Sequence, residues 1–325
     1  MLQVSELHNQ AKTRLQEVSG NPKKLVLIHT AIALGSSLLL TFITYLLSLL
    51  IDETGGLRGL TTRSLLTTAQ SVLELAVMVA MPFWQVGIFY AALQWTRKES
   101  ANFDSLLQGF RRFGPVLGLQ ILRGVLFIAL GMPLSYIATA IFMLTPFSAA
   151  FLECIAPMME QGLTQEQLDA LITPEFTAAT TQAAIPLLIL FAIVYLAVAI
   201  PVFYRVRFAD FAVMDGMPAG RAMVNSFNIT KGSCLQVLKI DLSFWWFYLL
   251  QVLSVAMCYA DSILPALGVT LPVSGVTAAF LFYILGTVCQ GVLLWQYEAH
   301  RVTIYGLAYR TLDGTMDSHD MEEEV

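Results

Sequence analysis

Six long apolar runs alternate with more polar segments from one end of the sequence to the other. Each has the roughly 20 residues that an α-helix needs to cross about 30 Å of hydrocarbon at about 1.5 Å per residue. The runs lie near 27–50, 71–95, 116–142, 184–208, 239–263 and 275–299. This pattern predicts an all-α fold, a polytopic transmembrane helical bundle with six spans.

Short amphipathic segments precede the first, third and fifth runs, and each ends near a glycine. In the first segment apolar residues recur three or four positions apart before Gly20 and Pro22: Val4, Leu7, Ala11, Leu15 and Val18. In the second, Asn102 is the predicted N-cap and Gly114-Pro115 the predicted stop, around one apolar face: Phe103, Leu106, Leu107, Phe110 and Phe113. In the third, Met223 and Phe227 precede Gly232. Such start and stop signals predict surface helices.

The combined pattern predicts three consecutive units, each an interfacial helix followed by a transmembrane hairpin, over roughly 1–95, 96–208 and 209–300. We expect the apolar faces of the surface helices to lie along the inner leaflet. Two explanations of the repetition stay open. Parallel repeats occur in several transporter folds, whereas any short loop with an apolar face can lie on a membrane surface.

Basic residues are distributed asymmetrically between the loops, which predicts the orientation. They are concentrated in the N-terminal segment, in 96–115, in 205–239 and in the tail 301–325, whereas the opposite side has only Arg58 and Arg63. Because basic loops stay in the cytoplasm, we predict that both termini are cytoplasmic. Residues 1–300 would then form one integral membrane domain, with 301–325 as a cytoplasmic tail.

The composition agrees with a membrane protein. Hydrophobic residues make up 57% of the 325 positions and charged residues 13%, against about 45–50% and about 25% in soluble domains. The net charge of −5 provides no basic surface to neutralise phosphates, so we expect no nucleic-acid partner.

The connection 143–183 is long and acidic, and it contains no lysine or arginine. Two helix starts are predicted in it, a capping box at Thr164 and Gln167 and a second start at Thr173-Pro174-Glu175. We therefore expect a small helical cap on the outer face. Its acidity fits either the collection of cations or the general lack of basic residues in translocated loops.

Catalytic and metal-binding motifs are missing from the sequence. The four histidines are far apart in sequence, no pair has metal-ligand spacing, and no nucleophile elbow, P-loop or GxGxxG is present. We therefore predict no catalytic residues, no cofactor and no metal. An enzyme acting on lipid would have Glu298 and His300 as its candidate residues.

Four polar residues within the predicted spans are the candidate functional residues: Arg123, Asp241, Gln251 and Gln290. An ionisable side chain in hydrocarbon costs about 2.5–3.5 kcal/mol on insertion scales, so Arg123 requires a partner. We predict an ion pair with Asp241, with a lipid headgroup or substrate as the alternative contact. We predict that Asp241 lies in the first turn of its helix, where the helix dipole would stabilise the carboxylate even without that pair.

The two ends of the chain resemble a known family. The similarity lies in Ser226, in Lys231-Gly232, in Asp241-Leu242-Ser243-Phe244 and in Tyr297, together with the N-terminal SELHNQAKTRLQEVSGNPKKL. These residues resemble the bacterial integral membrane proteins of the domain of unknown function 975 family. The resemblance implies a multi-pass protein of the bacterial plasma membrane, and it brings no established activity. The long connection 143–183 departs from the family pattern.

Taken together, these patterns favour a non-catalytic envelope or assembly factor that binds membrane lipids, a protein partner or a second copy of itself. The alternative is a transporter of small molecules or peptides, or the membrane subunit of one. Prolines at 82, 133 and 201 that would break helices near the midplane support that alternative.

Overall fold

A computed structural model describes residues 3–53, 57–156, 174–266 and 276–315 of the chain. Every regular element in these ranges is a helix, which confirms the all-α class. The fourteen described helices are α1 (Val4–Glu17), α2 (Pro22–Glu53), α3 (Leu57–Thr96), α4 (Phe103–Leu106), α5 (Gln108–Arg111), α6 (Phe113–Met143), α7 (Phe147–Ile155), α8 (Pro174–Val206), α9 (Ala209–Met214), α10 (Ala219–Ile229), α11 (Cys234–Ser243), α12 (Trp245–Cys258), α13 (Ala260–Ala266) and α14 (Val276–Asp313).

Five segments of the described chain are long and apolar enough to cross a membrane, which indicates a membrane-embedded protein. They are Pro22–Leu46, Thr68–Thr96, Phe113–Met143, Ala184–Met214 and Thr277–Asp313. A sixth span exists if α11 and α12 are counted together, since the two helices pass the same test as a pair but meet at an angle of 64°.

The run predicted as one straight span over 239–263 is broken at Phe244. The Phe244 N–H donates to the carbonyl oxygen of Asp241, three residues back, at 3.0 Å, so the helix ends in a tight turn. The Phe244 ring is buried, with its centroid 5.1 Å from that of the His8 ring. Packing of this ring accompanies the break, which local hydrophobicity does not reveal.

The chain divides into two compact units, residues 1–120 with 205–325, and residues 121–204. In the first unit, α14 packs against α1, α2, α3 and α12, and α9 packs against α3 and α10. The largest buried side chains of this unit come mainly from the end of α3, from 208–214 and from the end of α14; they include Trp95, Phe208, Phe211, Tyr305 and Tyr309.

The second unit contains α7 and most of α6 and α8. The Tyr195 hydroxyl lies 2.8 Å from the Gly131 carbonyl oxygen and 2.5 Å from the Ser135 hydroxyl, and so joins α8 to α6. Phe142 and Phe151 make an edge contact at 5.8 Å between α6 and α7. Many apolar side chains of this unit are exposed, as expected of helices that contact lipid.

The first and third surface helices are confirmed as helices. Helix α1 is followed by Gly20 with φ of 142°, and α10 by Gly232 with φ of 83°. Both φ values lie in the region that glycine adopts without steric cost, which explains why each segment ends there. Leu7, Ala11 and Val18 are buried, and α1 packs against α3, α11 and α14. The expectation that the apolar face of α1 lies along the membrane is therefore wrong.

The second surface helix is two one-turn helices, α4 and α5, and the predicted stop at Gly114-Pro115 is wrong. Helix α6 begins at Phe113, so Pro115 lies in its first turn. Backbone N–H groups of a first helical turn have no partner within the helix, so proline is tolerated there. The N-cap at Asn102 is confirmed, because its side chain accepts a hydrogen bond from the Ser105 N–H.

The structure describes only the edges of the predicted outer cap. Helix α7 follows the third span, and the predicted helix start at Thr173-Pro174-Glu175 is confirmed by α8, which begins at Pro174. The capping box at Thr164 and Gln167 and the end of the tail, 316–325, lie outside the described residues.

Candidate functional site

Asp241 accepts hydrogen bonds from two tyrosines. The Tyr248 hydroxyl donates to its Oδ1 at 2.5 Å, and the Tyr305 hydroxyl donates to the same oxygen. The Arg207 guanidinium lies 3.9 Å from this oxygen and 4.4 Å from the centroid of the Tyr305 ring. Helix α11 begins at Cys234, so Asp241 lies in its last turn, and the prediction of a first-turn position is wrong. Tyrosine hydroxyls and a guanidinium, and not the helix dipole, stabilise the Asp241 carboxylate.

Glu298 and Arg301 form an ion pair on α14. Nε and NH2 of Arg301 donate to the two carboxylate oxygens of Glu298 at 2.9 and 2.8 Å. Glu298 is only 3% exposed. A carboxylate engaged by both oxygens is stabilised in its charged form, and this two-point geometry is the strongest that arginine makes.

His8 and His300 are 292 residues apart in sequence but adjacent in space. His8 Nδ1 lies 3.0 Å from His300 Nε2, and His8 Nε2 lies 2.8 Å from the Ser243 hydroxyl. Burial lowers the pKa of the His8 imidazole, because the charged ring loses contact with water. Sequence spacing could not reveal this contact, although the position of His8 between the buried Leu7 and Ala11 is a signal that it faces protein.

The other candidates predicted from the sequence are not brought together with this cluster. Arg123 lies on α6 in the second unit and Asp241 in the first, so the predicted pair between them stays a prediction. Gln251 and Gln290 are partly buried on α12 and α14. Among the described residues, Nε2 of Gln251 has no hydrogen-bond partner.

Arginines of the predicted basic loops join distant parts of the first unit. Arg97 pairs with Asp215, Arg112 donates to the Val213 carbonyl oxygen at 2.8 Å, and Arg310 donates to the Thr96 carbonyl oxygen at 3.1 Å. In the sequence, the positions of these arginines indicate topology alone. Their contacts join the segment after α3 to the residue after α9, the residue before α6 to α9, and the end of α14 to the end of α3.

Residues 102–113, the surface segment, are held against α3 by two glycines. A Cβ atom at Gly87 would overlap the backbone of Leu106, and one at Gly109 would overlap the backbone of Phe83. Leu106 is fully buried, and the Ser105 hydroxyl donates to Gln94 at 2.6 Å. One side of the segment is therefore in backbone contact with α3.

The other side of the surface segment carries three exposed aromatic rings. Phe103, Phe110 and Phe113 are 46%, 40% and 51% exposed. Phe113 stacks on Phe83 at 4.7 Å, and the exposed Arg111 pairs with Asp104 at 3.2 Å. The segment thus combines a fixed inner side with an outer side of aromatic and charged groups, which is the composition of a membrane interface.

Comparison with known proteins gives one family. The family model described as protein of unknown function (DUF975) matches residues 1–289. No curated protein and no solved structure matches the chain. Since the match covers most of the 325 residues, the chain belongs to the DUF975 family of proteins of unknown function.

Proposed function

We propose that this chain is a non-catalytic membrane protein of the bacterial plasma membrane, an envelope or assembly factor that binds anionic lipid with its cytoplasmic face. The proposal includes six spans, with α11 and α12 as one broken span, and both termini in the cytoplasm. The surface segment is the observation that carries it, because its outer side has the chemistry of a lipid contact.

The aromatic rings of the surface segment support a position at the inner leaflet. Three large rings exposed close together are unfavourable in water, and burial of apolar area gains about 25 cal/mol per Å². The segment leads directly into α6, an apolar helix long enough to span. Its rings are therefore placed next to the point where the chain would enter hydrocarbon, where aromatic side chains are favoured.

Exposed lysines near the same predicted side support the choice of anionic lipid: Lys12, Lys23, Lys24, Lys231 and Lys239. A basic residue near an anionic leaflet contributes about 1 kcal/mol of attraction, and this attraction is screened by salt. In the predicted orientation these lysines face the leaflet that carries the anionic headgroups.

The contacts of the two catalytic candidates support a non-catalytic role. Both carboxylate oxygens of Glu298 accept from Arg301, and His300 contacts His8. The first contact lies within α14, and the second joins α14 to α1. No observation among the described residues favours the alternative of a transporter.

Fluorescence quenching in vesicles tests the proposal. A fluorophore is attached to Asp104→Cys in a cysteine-free background, in vesicles of phosphatidylglycerol and phosphatidylethanolamine. We expect quenching by brominated lipid and protection from aqueous iodide. Phe103→Ser with Phe110→Ser should reverse both effects, whereas Val252→Ser, an exposed apolar position on α12, should change neither.

Lipid charge provides the second arm of the experiment. Replacement of phosphatidylglycerol by phosphatidylcholine, or addition of salt, should increase the access of iodide to position 104. Leu106 is left unchanged because it is buried. Iodide access that is equal in the parent and the double variant would overturn the lipid contact, and insensitivity to lipid charge would overturn the choice of anionic lipid.

A further inference from the structure

The contact between His8 and His300 has a defined arrangement of protons. The Ser243 hydroxyl lies 2.6 Å from the Ile240 carbonyl oxygen, which can only accept, so the hydroxyl donates its proton there. Ser243 then accepts from Nε2–H of His8 at 2.8 Å. A neutral His8 carries no proton on Nδ1, so Nδ1 accepts from Nε2–H of His300. When both imidazoles are neutral, this chain of hydrogen bonds places the proton of each ring on Nε2.

This chain joins three helices around one aromatic ring. His8 lies on α1, Ser243 ends α11, and His300 lies on α14. The Phe244 ring, at the break between α11 and α12, is 5.1 Å from the His8 ring and 6.1 Å from the His300 ring. The contact therefore attaches α1 at the bend of the broken helix pair.

Protonation changes the contact in two steps. One proton leaves a bond intact, because a charged His8 can donate from Nδ1 to an unprotonated Nε2 of His300. A second proton places two N–H donors face to face at 3.0 Å, so that the bond is lost and the two charges repel each other. Release of the contact therefore requires both imidazoles to be charged.

The charged groups near His8 and His300 disfavour a second positive charge on the two rings. On α14, Glu298 is engaged by Arg301, and on α11, Asp241 is engaged by Tyr248 and Tyr305. Other charged groups on or next to the packed helices are Lys239 of α11, Lys98 just after α3, which pairs with Glu17, and on α1 itself Glu6, Lys12 and Arg14; Glu74 of α3 and Arg310 and Asp313 of α14 lie further along their helices. Lys12 is close enough to His300 to act on it electrostatically, and it adds to the repulsion.

We propose that His8 and His300 form a proton-sensitive latch, which holds the amphipathic N-terminal helix α1 against α11 and α14 when neutral and releases it when both rings are charged. Release would uncover Leu7, Ala11 and Val18, the apolar face that is buried in the docked state. The freed helix would have the pattern of a helix that binds a membrane surface. The latch does not depend on the lipid contact of the surface segment.

The direction of the pH response follows from the docked state. The pKa of docked His8 is lowered, so the docked state binds fewer protons than the released state near the ordinary imidazole pKa of about 6.5. The attachment is therefore fully present above about pH 6.5 and is lost only when the pH is low enough to charge both rings.

Distance measurement by electron spin resonance in the full-length protein tests the latch. Spin labels are placed at Asn9→Cys on α1 and Leu242→Cys on α11, both exposed positions, in a cysteine-free background in nanodiscs with EDTA. We expect a narrow distance distribution at about pH 7.5 and a broader, longer one at about pH 4, well below the ordinary imidazole pKa of about 6.5.

Two variants separate the latch from general acid effects. His300→Gln keeps an amide N–H that donates to His8 but cannot be charged, so its distribution should stay narrow at the lower pH. His319→Gln, which removes a histidine of the tail, should behave as the parent does. An unchanged parent distribution between the two pH values, or broadening of His300→Gln equal to that of the parent, would overturn the proposal.

Discussion

The Asp241 carboxylate is held by neutral donors more than by charge. Two tyrosine hydroxyls donate to its Oδ1, whereas the Arg207 guanidinium lies 3.9 Å away. Hydrogen bonds to charged groups contribute about 1.5–3 kcal/mol, more than a partly exposed ion pair at that distance. We therefore expect the tyrosines to account for most of the stabilisation that Asp241 provides.

A double-mutant cycle measures this contribution. Tyr305→Phe and Asp241→Ala should each lower the free energy of unfolding in mixed micelles, and the double variant should lose about 1–2 kcal/mol less than their sum, because both remove one bond. Additive losses would contradict the hydrogen bond.

A parallel cycle of Arg123→Gln with Asp241→Ala tests the ion pair that was predicted from the sequence, and additivity in that cycle would rule the pair out.

Among the elements, the surface segment shows how a short piece of chain without a stable helix of its own is fixed in place. Helices α4 and α5 are one turn each, too short to be stable in isolation. They are positioned by the Asn102–Ser105 capping box and by backbone contact with α3 at Gly87 and Gly109. The exposed rings depend on this packing for their position.

Gly109→Ala should detach the surface segment. The added Cβ would overlap the Phe83 carbonyl group, and overpacking of this kind costs about 1–3 kcal/mol. We expect faster proteolysis of the variant within 97–113, and mass spectrometry of the fragments measures it. Gly114→Ala is the matched control, since a Cβ added there would meet no other part of the protein within 4 Å. Proteolysis of this control as fast as that of Gly109→Ala would show that the glycine contact is unimportant.

At the level of the whole molecule, the apolar helices indicate a membrane protein but do not by themselves define its orientation. The predicted orientation rests on the distribution of lysine and arginine, and it places 143–183 outside. If α11 and α12 together form one crossing, both termini lie on the same side. A change of two crossings in this count would keep both termini on the same side of the membrane. A change of one crossing would place them on opposite sides.

Labelling of single cysteines tests this topology. In a cysteine-free background, Leu168→Cys should react with an impermeant maleimide in intact cells, whereas Glu99→Cys should react only after permeabilisation. The reason is that the basic segments remain in the cytoplasm. Reaction of position 168 from the cytoplasmic side alone would overturn the six-span arrangement.

The helical class, the approximate position of the apolar helices and the ends of several helices could be predicted from the sequence. These properties are local: the length of an apolar run, a glycine at a positive φ such as Gly20 or Gly232, or an N-cap such as Asn102 acts on its own segment. Where two local signals competed, as at Gly114-Pro115, the same residues suited either a stop or a first helical turn, and packing decided between them.

Which polar groups meet depends on the packing of the helices and could not be predicted from the sequence. His8 lies 292 residues from His300, and Asp241 lies 64 residues from Tyr305, so no spacing rule connects either pair. Hydrophobicity alone extends one apolar run through 239–263, although the helix breaks at Phe244 within it. This break coincides with packing of the Phe244 ring near His8 and His300. Such contacts depend on how separate helices are brought together, and a pattern along one helix contains no information about the side chains of another.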